Sequence, residues 1–325
     1  MKKLQIAVLT TSLLGLVGTA TATICEQNPL TNDGAGNPSQ SINFPFTLDS
    51  HTAIVAGTIK RSAVIGRIDN PDLVPIPVMC QSDLALSAMF AQNISDSSSG
   101  PYNEMVNTIF VQKANAAPLD LPCLESTDQQ SVANYINAAL VAITVANADN
   151  LAAGMPLDYG MYTDSLLVTT ADALTIGIEV WGFPKELRKI AYDINDQHYK
   201  VTANAAAGNK FRMTIERDPA LTLHLPQFEL NGDFFVPNSL APAGYLPQMN
   251  GKIFSAAGSP TYLYPFSGEF NGKCVNCAAG TPSLGHQLSD LGKSRFTDFH
   301  VLADFTPTLV FELPHAHGEF YSNRQ

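Results

Sequence analysis

The chain has 325 residues, 14% of them charged, and carries a formal net charge of −11 at pH 7. No run of Lys and Arg gathers along it, so a phosphate backbone would be repelled, and nucleic acid is excluded as a partner. Hydrophobic residues make up 45% of the sequence, enough to bury one large core or two smaller ones.

Residues 1–22, MKKLQIAVLTTSLLGLVGTATA, have the layout of a secretory signal peptide. Lys2 and Lys3 begin it, an apolar run follows from Leu4 to Val17, and Ala20 and Ala22 occupy the small-residue cleavage positions. Thr10, Thr11 and Ser12 interrupt a run already short for a bilayer span. Ile24 is too bulky for the residue that lipoprotein signals place before their cysteine, here Cys25. The expectation is an exported protein, in a bacterial periplasm or secreted, without a membrane partner once the signal is removed. No later stretch is expected to reach transmembrane length. In an oxidising compartment, the five cysteines Cys25, Cys80, Cys123, Cys274 and Cys277 imply at least one disulfide and one thiol left over. The pair Cys274-Val-Asn-Cys277 is half of a zinc site at most, so it reads as a disulfide or a capped loop.

Residues 23–50 are rich in Asn, Pro, Ser and Gly and read as an irregular segment. Strand-like runs follow at 52–59, 84–92 and 102–112. In STDQQSVANYINAALVAI, residues Val132, Tyr135, Ile136, Ala139, Leu140 and Ile143 recur at helical spacing, with Ser126 and Gln129 as a capping box. A second, short helix is read in TADALTIGIEVW, capped by Thr170 and ending near Gly182 and Pro184. KIAYDI, HYKVTANAA and FRMTIER then read as an antiparallel meander, followed by short strands at LTLHL, DFFVP and KIFSAA. The last strand expected is 299–313, and HAHGE at 315–319, with a His-x-His pair near Glu319, reads as a tail beyond it rather than a metal site. No linker divides the chain, so residues 51–325 are expected to form one domain, with a helical insertion near 115–150. The fold class is α+β, with a large antiparallel sheet closed or nearly closed into a barrel and a few short helices.

One lysine is placed unusually. Trp181, Gly182, Phe183 and Pro184 run directly into Lys185. Pro184 fixes its own φ and removes a backbone donor, which constrains the direction in which Lys185 leaves the turn. Lys185 is either an ordinary strand-start lysine or an amine enclosed by apolar groups. Enclosure disfavours an ammonium ion, and a neutral amine attacks ketones to form a Schiff base. Glu104 shares a strand face with Tyr102 and Val106 at period two. The chain shows no glycine-rich phosphate loop and no nucleophilic serine signature.

Three stretches resemble the acetoacetate decarboxylase family. GIEVWGFPKEL at 177–187 is similar to that family's G-R-E-x-W-G-F-P-K-K-L segment, GPYNEMV at 100–106 to its G-x-Y-x-E segment, and HVLADF at 300–305 to its H-x-L-A-D strand. The resemblance, over roughly residues 80–313, implies a cone-shaped β-barrel with Lys185 as the Schiff-base lysine and Glu104 as the pocket glutamate. Tyr102, Trp181 and Phe183 would be substrate-binding. The substrate would be a small anionic keto acid, and no metal or organic cofactor is implied, because the lysine acts as the electron sink. The family often forms large assemblies, so a homo-oligomer is an expectation of the resemblance. Ile178 departs from the family's arginine, and Glu186 stands where the decarboxylases have a second lysine. Arg61 and Arg67 are candidates for the substrate arginine. Three activities stay open: decarboxylation, imine-based aldolase or dehydratase chemistry, and binding in a barrel that has lost the reaction. If Lys185 and Glu186 begin a strand, their side chains point to opposite faces, and Glu186 can pair with Arg188 away from the pocket.

Overall fold

The structure is a computed structural model that describes residues 28–29, 41–42, 44–153, 155–204, 210–241, 247–277 and 305–321. The signal segment, Cys25 and residues 300–304 of the third family-like stretch lie outside the described residues.

In chain order, β1 (Asn28–Pro29) pairs with β2 (Ser41–Ile42), and the first long strand is β3 (Phe46–Lys60). The strand thus starts inside the segment read as irregular. After α1 (Arg61–Ile65) and β4 (Leu73–Pro75) come β5 (Leu84–Ser97) and β6 (Tyr102–Lys113). The long helix α2 (Gln129–Ala152) precedes β7 (Tyr159–Val168) and the short α3 (Ala171–Ile176). Next are β8 (Lys185–Leu187), β9 (Ile190–Ile194), β10 (His198–Asn204), β11 (Lys210–Glu216) and β12 (Leu223–Leu225). The remaining strands are β13 (Glu229–Phe235), β14 (Gln248–Ser255), β15 (Thr261–Pro265), β16 (Gly268–Phe270), β17 (Lys273–Val275) and β18 (Thr306–Phe320).

The main sheet runs β18-β14-β13-β7-β6-β5-β3, and the pairing of β18 with β3 closes it into a seven-stranded barrel. The expected closure is therefore present. The sheet is mixed rather than wholly antiparallel, because β7 pairs in parallel with β13 through Gly160–Tyr162 and with β8 through Leu166–Val168. Switching partner halfway along β7 opens the ring locally and lets β8 enter the wall there.

Alternation along the barrel strands sorts their side chains into two cores. One face carries Phe90, Val106, Leu166, Phe234 and Ile253, together with Trp181 and Phe183 and the buried α2 residues Val132, Tyr135, Ile136 and Ala139. The other face of β3, β5 and β6 is covered by a five-stranded sheet, β17-β16-β11-β10-β9, through Tyr199, Val201, Phe211 and Met213. Each large side chain so buried contributes about 1.5–3 kcal/mol. The meander read from 189–217 corresponds to β9, β10 and β11.

Helix α2 extends to Ala152, beyond the apolar stripe that ended at Ile143. Its N-cap is Asp128, which accepts from the Ser131 amide, so the capping box read at Ser126 and Gln129 is replaced. Gln129 instead donates to the carbonyls of Phe266 and Thr308. Contrary to expectation, this helix is long and apolar enough to cross a membrane by length and composition, although a third of the relevant window packs into the barrel core. The Tyr135 hydroxyl accepts from the Met79 amide and donates to the Pro77 carbonyl, tying the helix to the barrel rim.

Both described cysteine pairs are disulfides, Cys80–Cys123 and Cys274–Cys277. The first closes a separation of 43 residues. On the chain-entropy argument it restricts the unfolded state by about 4 kcal/mol, and it staples the segment before α2 to the barrel. HAHGE is no tail: it lies within β18, paired with β14 and β3, where His317 Nδ1 meets Asp49 at 2.7 Å and Lys252 Nζ meets Glu319 at 2.9 Å. Among the described residues, no three His, Cys, Asp or Glu gather as metal ligands.

Candidate active site

The turn that aims Lys185 is built over residues 170–185. Thr170 caps α3 by accepting from the Ala173 amide, as read from the sequence, and the helix continues as one π turn over Gly177–Trp181. Such turns recur at functional sites. Gly182 ends it in the left-handed region (φ 72°), which favours glycine. The Lys185 amide donates to the Phe183 carbonyl at 2.8 Å, closing a three-residue turn around Pro184, and the chain enters β8 against Leu166 of β7.

This directs the Lys185 side chain into the barrel. Its Nζ donates to Glu104 Oε2 at 3.2 Å, and the two side chains are 4% and 9% exposed. Nζ also lies 5.8 Å from the Phe183 ring centroid and 5.9 Å from that of Tyr102. The lysine is an enclosed amine rather than a surface charge.

Glu104 is held from several directions. It stands on β6, opposite Gln92 of β5 and Val168 of β7. Its backbone carbonyl accepts from the Tyr192 hydroxyl at 2.8 Å. Tyr102, on the same strand face, is hydrogen-bonded to the Glu104 side chain. Burial first, then the charge of Glu104 and that hydrogen bond, push the Tyr102 phenol well above its usual range. The phenol therefore stays protonated and can serve as a donor to the carboxylate.

Lys185 and Glu104 stand in the wall of a cavity of about 40 Å³. Its polar lining is Gln92, Tyr102, Glu104, Thr163 and Lys185. Six rings, Phe46, Phe90, Trp181, Phe183, Phe234 and Phe320, and four aliphatic residues, Leu48, Val106, Leu166 and Ile253, form the rest. Trp181 sits at the hub of the aromatic wall, 5.4 Å from Phe46, 6.0 Å from Phe183 and 6.3 Å from Phe320, and donates from Nε1 to the Tyr321 carbonyl at 3.3 Å.

All five residues singled out from the sequence, Lys185, Glu104, Tyr102, Trp181 and Phe183, thus come together. The arginine candidates do not join them. Arg67 forms two hydrogen bonds to the buried Asp164, at 2.9 and 2.7 Å, and neither it nor Arg61 lines the cavity. Glu186 is also outside it: the carboxylate accepts from Arg188 Nη2 at 2.6 Å. Gln92, Thr163 and the ring-bearing ends of β3, β13 and β18 were not singled out. Alternation along a strand does not say which of its faces lies inside the barrel; ring closure, and for Thr163 the bulge in β7, decide that.

No family model and no curated protein matches the chain. Among solved structures it is similar to an acetoacetate decarboxylase from Legionella pneumophila at 12% identity and a TM-score of 0.42, over 88% of this chain and 90% of that one. An acetoacetate decarboxylase-like enzyme from Sphingomonas wittichii RW1 aligns over 92% of this chain and 99% of its own, at 10% identity and a TM-score of 0.45. The enduracididine biosynthesis enzyme MppR, solved with pyruvate, aligns over 88% and 91%, at 10% identity and a TM-score of 0.42.

Proposed function

We propose that the chain is a lyase that works through an imine between Lys185 and a small carbonyl compound. The observation that carries this reading is the enclosed pair: an amine with 4% of its side chain exposed, 3.2 Å from a carboxylate and opening on a cavity. A barrel that only binds has no need to bury its single lining amine beside a base. The similarity of 177–187 and 100–106 to the acetoacetate decarboxylase segments supports the same two residues.

The chemistry follows from position. Only a neutral amine is nucleophilic, so Nζ must first lose a proton, and Glu104 is within reach to accept it. Nζ then attacks the carbonyl carbon, and the hydroxyl of the resulting carbinolamine leaves as water once Glu104 returns the proton to it, giving the iminium. The protonated imine that remains draws electrons from the bond next to it. In a β-keto acid the bond to the carboxylate breaks, its electron pair passes into the iminium, CO2 leaves, and the enamine carbon takes from solvent the one proton that the net reaction consumes. Hydrolysis then releases the ketone and the free amine.

A second reaction of the same imine is favoured by one feature. Among the described residues no arginine lines the cavity, so a substrate carboxylate would meet Lys185 as its sole cation, with Glu104 already beside it. A β-hydroxy ketone meets no such conflict. Glu104 would take the hydroxyl proton, the carbon–carbon bond would break into the iminium, and an aldehyde would leave. Incubation with acetoacetate and with 4-hydroxy-2-butanone distinguishes the two: CO2 from the first marks decarboxylation, and formaldehyde from the second marks retro-aldol cleavage. Neither product, with Lys185 unlabelled after reduction, would leave the binding reading.

Export belongs to the same proposal. Lys2, Lys3, the Leu4–Val17 run, Ala20 and Ala22 support it, and two disulfides accord with an oxidising compartment. The mature chain is expected to begin at or near Thr23 by N-terminal sequencing of the exported fraction, and an intact Met1 there would contradict it.

A further inference from the structure

We propose that Thr163 selects the substrate, its hydroxyl holding an uncharged oxygen at the far end of the carbonyl compound that Lys185 engages; this rests on the imine reading above. Thr163 is completely buried and lines the cavity, and its Oγ1 has no hydrogen-bond partner among the described residues. Buried hydroxyls are normally satisfied, and leaving one orphaned is costly. A valine would fill the same space at no such cost, so an unpaired threonine facing a cavity points to a ligand as its partner.

The backbone has been bent to put it there. Strand β6 pairs Asn107 with Ser165 and then Thr108 with Thr163, so Asp164 is the extra residue of a bulge. In a regular strand, residues three apart face opposite ways. The bulge lets Leu166 and Thr163 both line the cavity, while Asp164 takes the guanidinium of Arg67.

The ladder also fixes the order of groups along the cavity. Glu104 lies opposite Val168, Val106 opposite Leu166, and Thr108 opposite Thr163, while Leu166 is opposite Lys185. Two residues along a strand span about 7 Å. Thr163 therefore starts about one such step beyond the level at which Lys185 leaves β8, whereas the lysine side chain reaches the other way, to Glu104. A substrate with its carbonyl carbon at Nζ extends past the apolar Val106 and Leu166 towards Thr163. Gln92 lies opposite Glu104, so at the other end, away from Lys185, Glu104, Tyr102 and Gln92, the described polar lining is Thr163, which is uncharged. That end suits a hydroxyl or carbonyl oxygen separated from the reacting carbon by a short alkyl segment.

The test compares 2-pentanone with 5-hydroxy-2-pentanone, each reduced onto the protein with borohydride and quantified on the Lys185 peptide. The wild type should reach half-labelling at about tenfold lower concentration of the hydroxyketone. Thr163→Val should remove that preference and leave the melting temperature equal or higher. Equal labelling of the wild type by both ketones, or an unchanged preference in Thr163→Val, would overturn the proposal. So would stronger labelling by 4-oxopentanoate, whose far end is charged. Thermal stabilisation of Lys185→Met by the same ketones reads the Thr163 contact without an imine: the hydroxyketone should stabilise more, and Thr163→Val added to Lys185→Met should abolish the difference. If Lys185 is never labelled, the imine reading falls, and this last comparison still decides the role of Thr163.

Discussion

Gly177 and Lys185 are packed so closely that a Cβ on the glycine would lie 2.0 Å from Lys185 Cε and 2.7 Å from Nζ. The glycine has ordinary helical dihedrals (φ −63°), so its role is space rather than conformational freedom. Gly177→Ala should therefore fold, because what must move is the end of a flexible side chain. It should also displace the amine from Glu104. The expected result is imine formation at least about a hundredfold slower with little change in melting temperature. Unaltered imine kinetics would show that Lys185 does not work from the position it occupies here.

Glu104→Gln keeps the shape of the side chain and removes the base. Imine formation should slow by about two to four powers of ten, the usual contribution of a positioned proton-transfer group. Tyr102→Phe removes only the donor that orients Glu104 and should cost about tenfold. Equal effects of the two variants in single-turnover kinetics would contradict this division of roles.

Glu186 breaks the decarboxylase-like pattern, yet its carboxylate is 2.6 Å from Arg188 and outside the cavity wall. Glu186→Gln is expected to move the pH dependence of imine formation by well under one unit. A shift of one unit, about 1.4 kcal/mol of interaction with the amine, would contradict the placement of Glu186 outside the pocket.

Glu312 is fully buried between the barrel and the five-stranded sheet. Burial alone would raise its carboxyl, but hydrogen bonds from His51, Arg217 and Tyr264, with the charge of Arg217, hold it below the usual range. A depressed carboxyl adds stability above its unfolded pKa, about 4.3, and that stability is lost as pH falls through the lower folded value. Glu312→Gln should lower neutral-pH stability by about 3 kcal/mol, since Arg217 loses its buried counter-charge, and should flatten the loss of stability below pH 4. Denaturant titrations from pH 3 to 7 measure both. The same acid slope in the variant would contradict this role for Glu312.

Local features of the site and the closing of the sheet were legible in the sequence; which face of each strand points into the barrel was not. The Trp181–Pro184 turn and the alternation of Tyr102, Glu104 and Val106 are properties of short stretches, and the structure assembles them as read. Thr163 sits in YGMYTDSLLV, where every residue is buried, so period two gives no inside or outside; a bulge at Asp164 makes that choice. HAHGE looked like a tail because its partners, β3 and β14, lie far away in sequence. The extension of α2 to Ala152 carries no apolar stripe; it is tied to β7 by Asn147, whose side chain donates to the Tyr159 carbonyl and accepts from the Tyr159 amide.

The identity of the reacting amine is the central claim, and borohydride reduction in the presence of acetoacetate, followed by peptide mass mapping, tests it most directly. One adduct is expected, on the peptide containing WGFPK at Lys185, and Lys185→Arg should abolish it because guanidinium stays protonated. Labelling shared equally with Lys189 or Lys200, or persisting in Lys185→Arg, would contradict it.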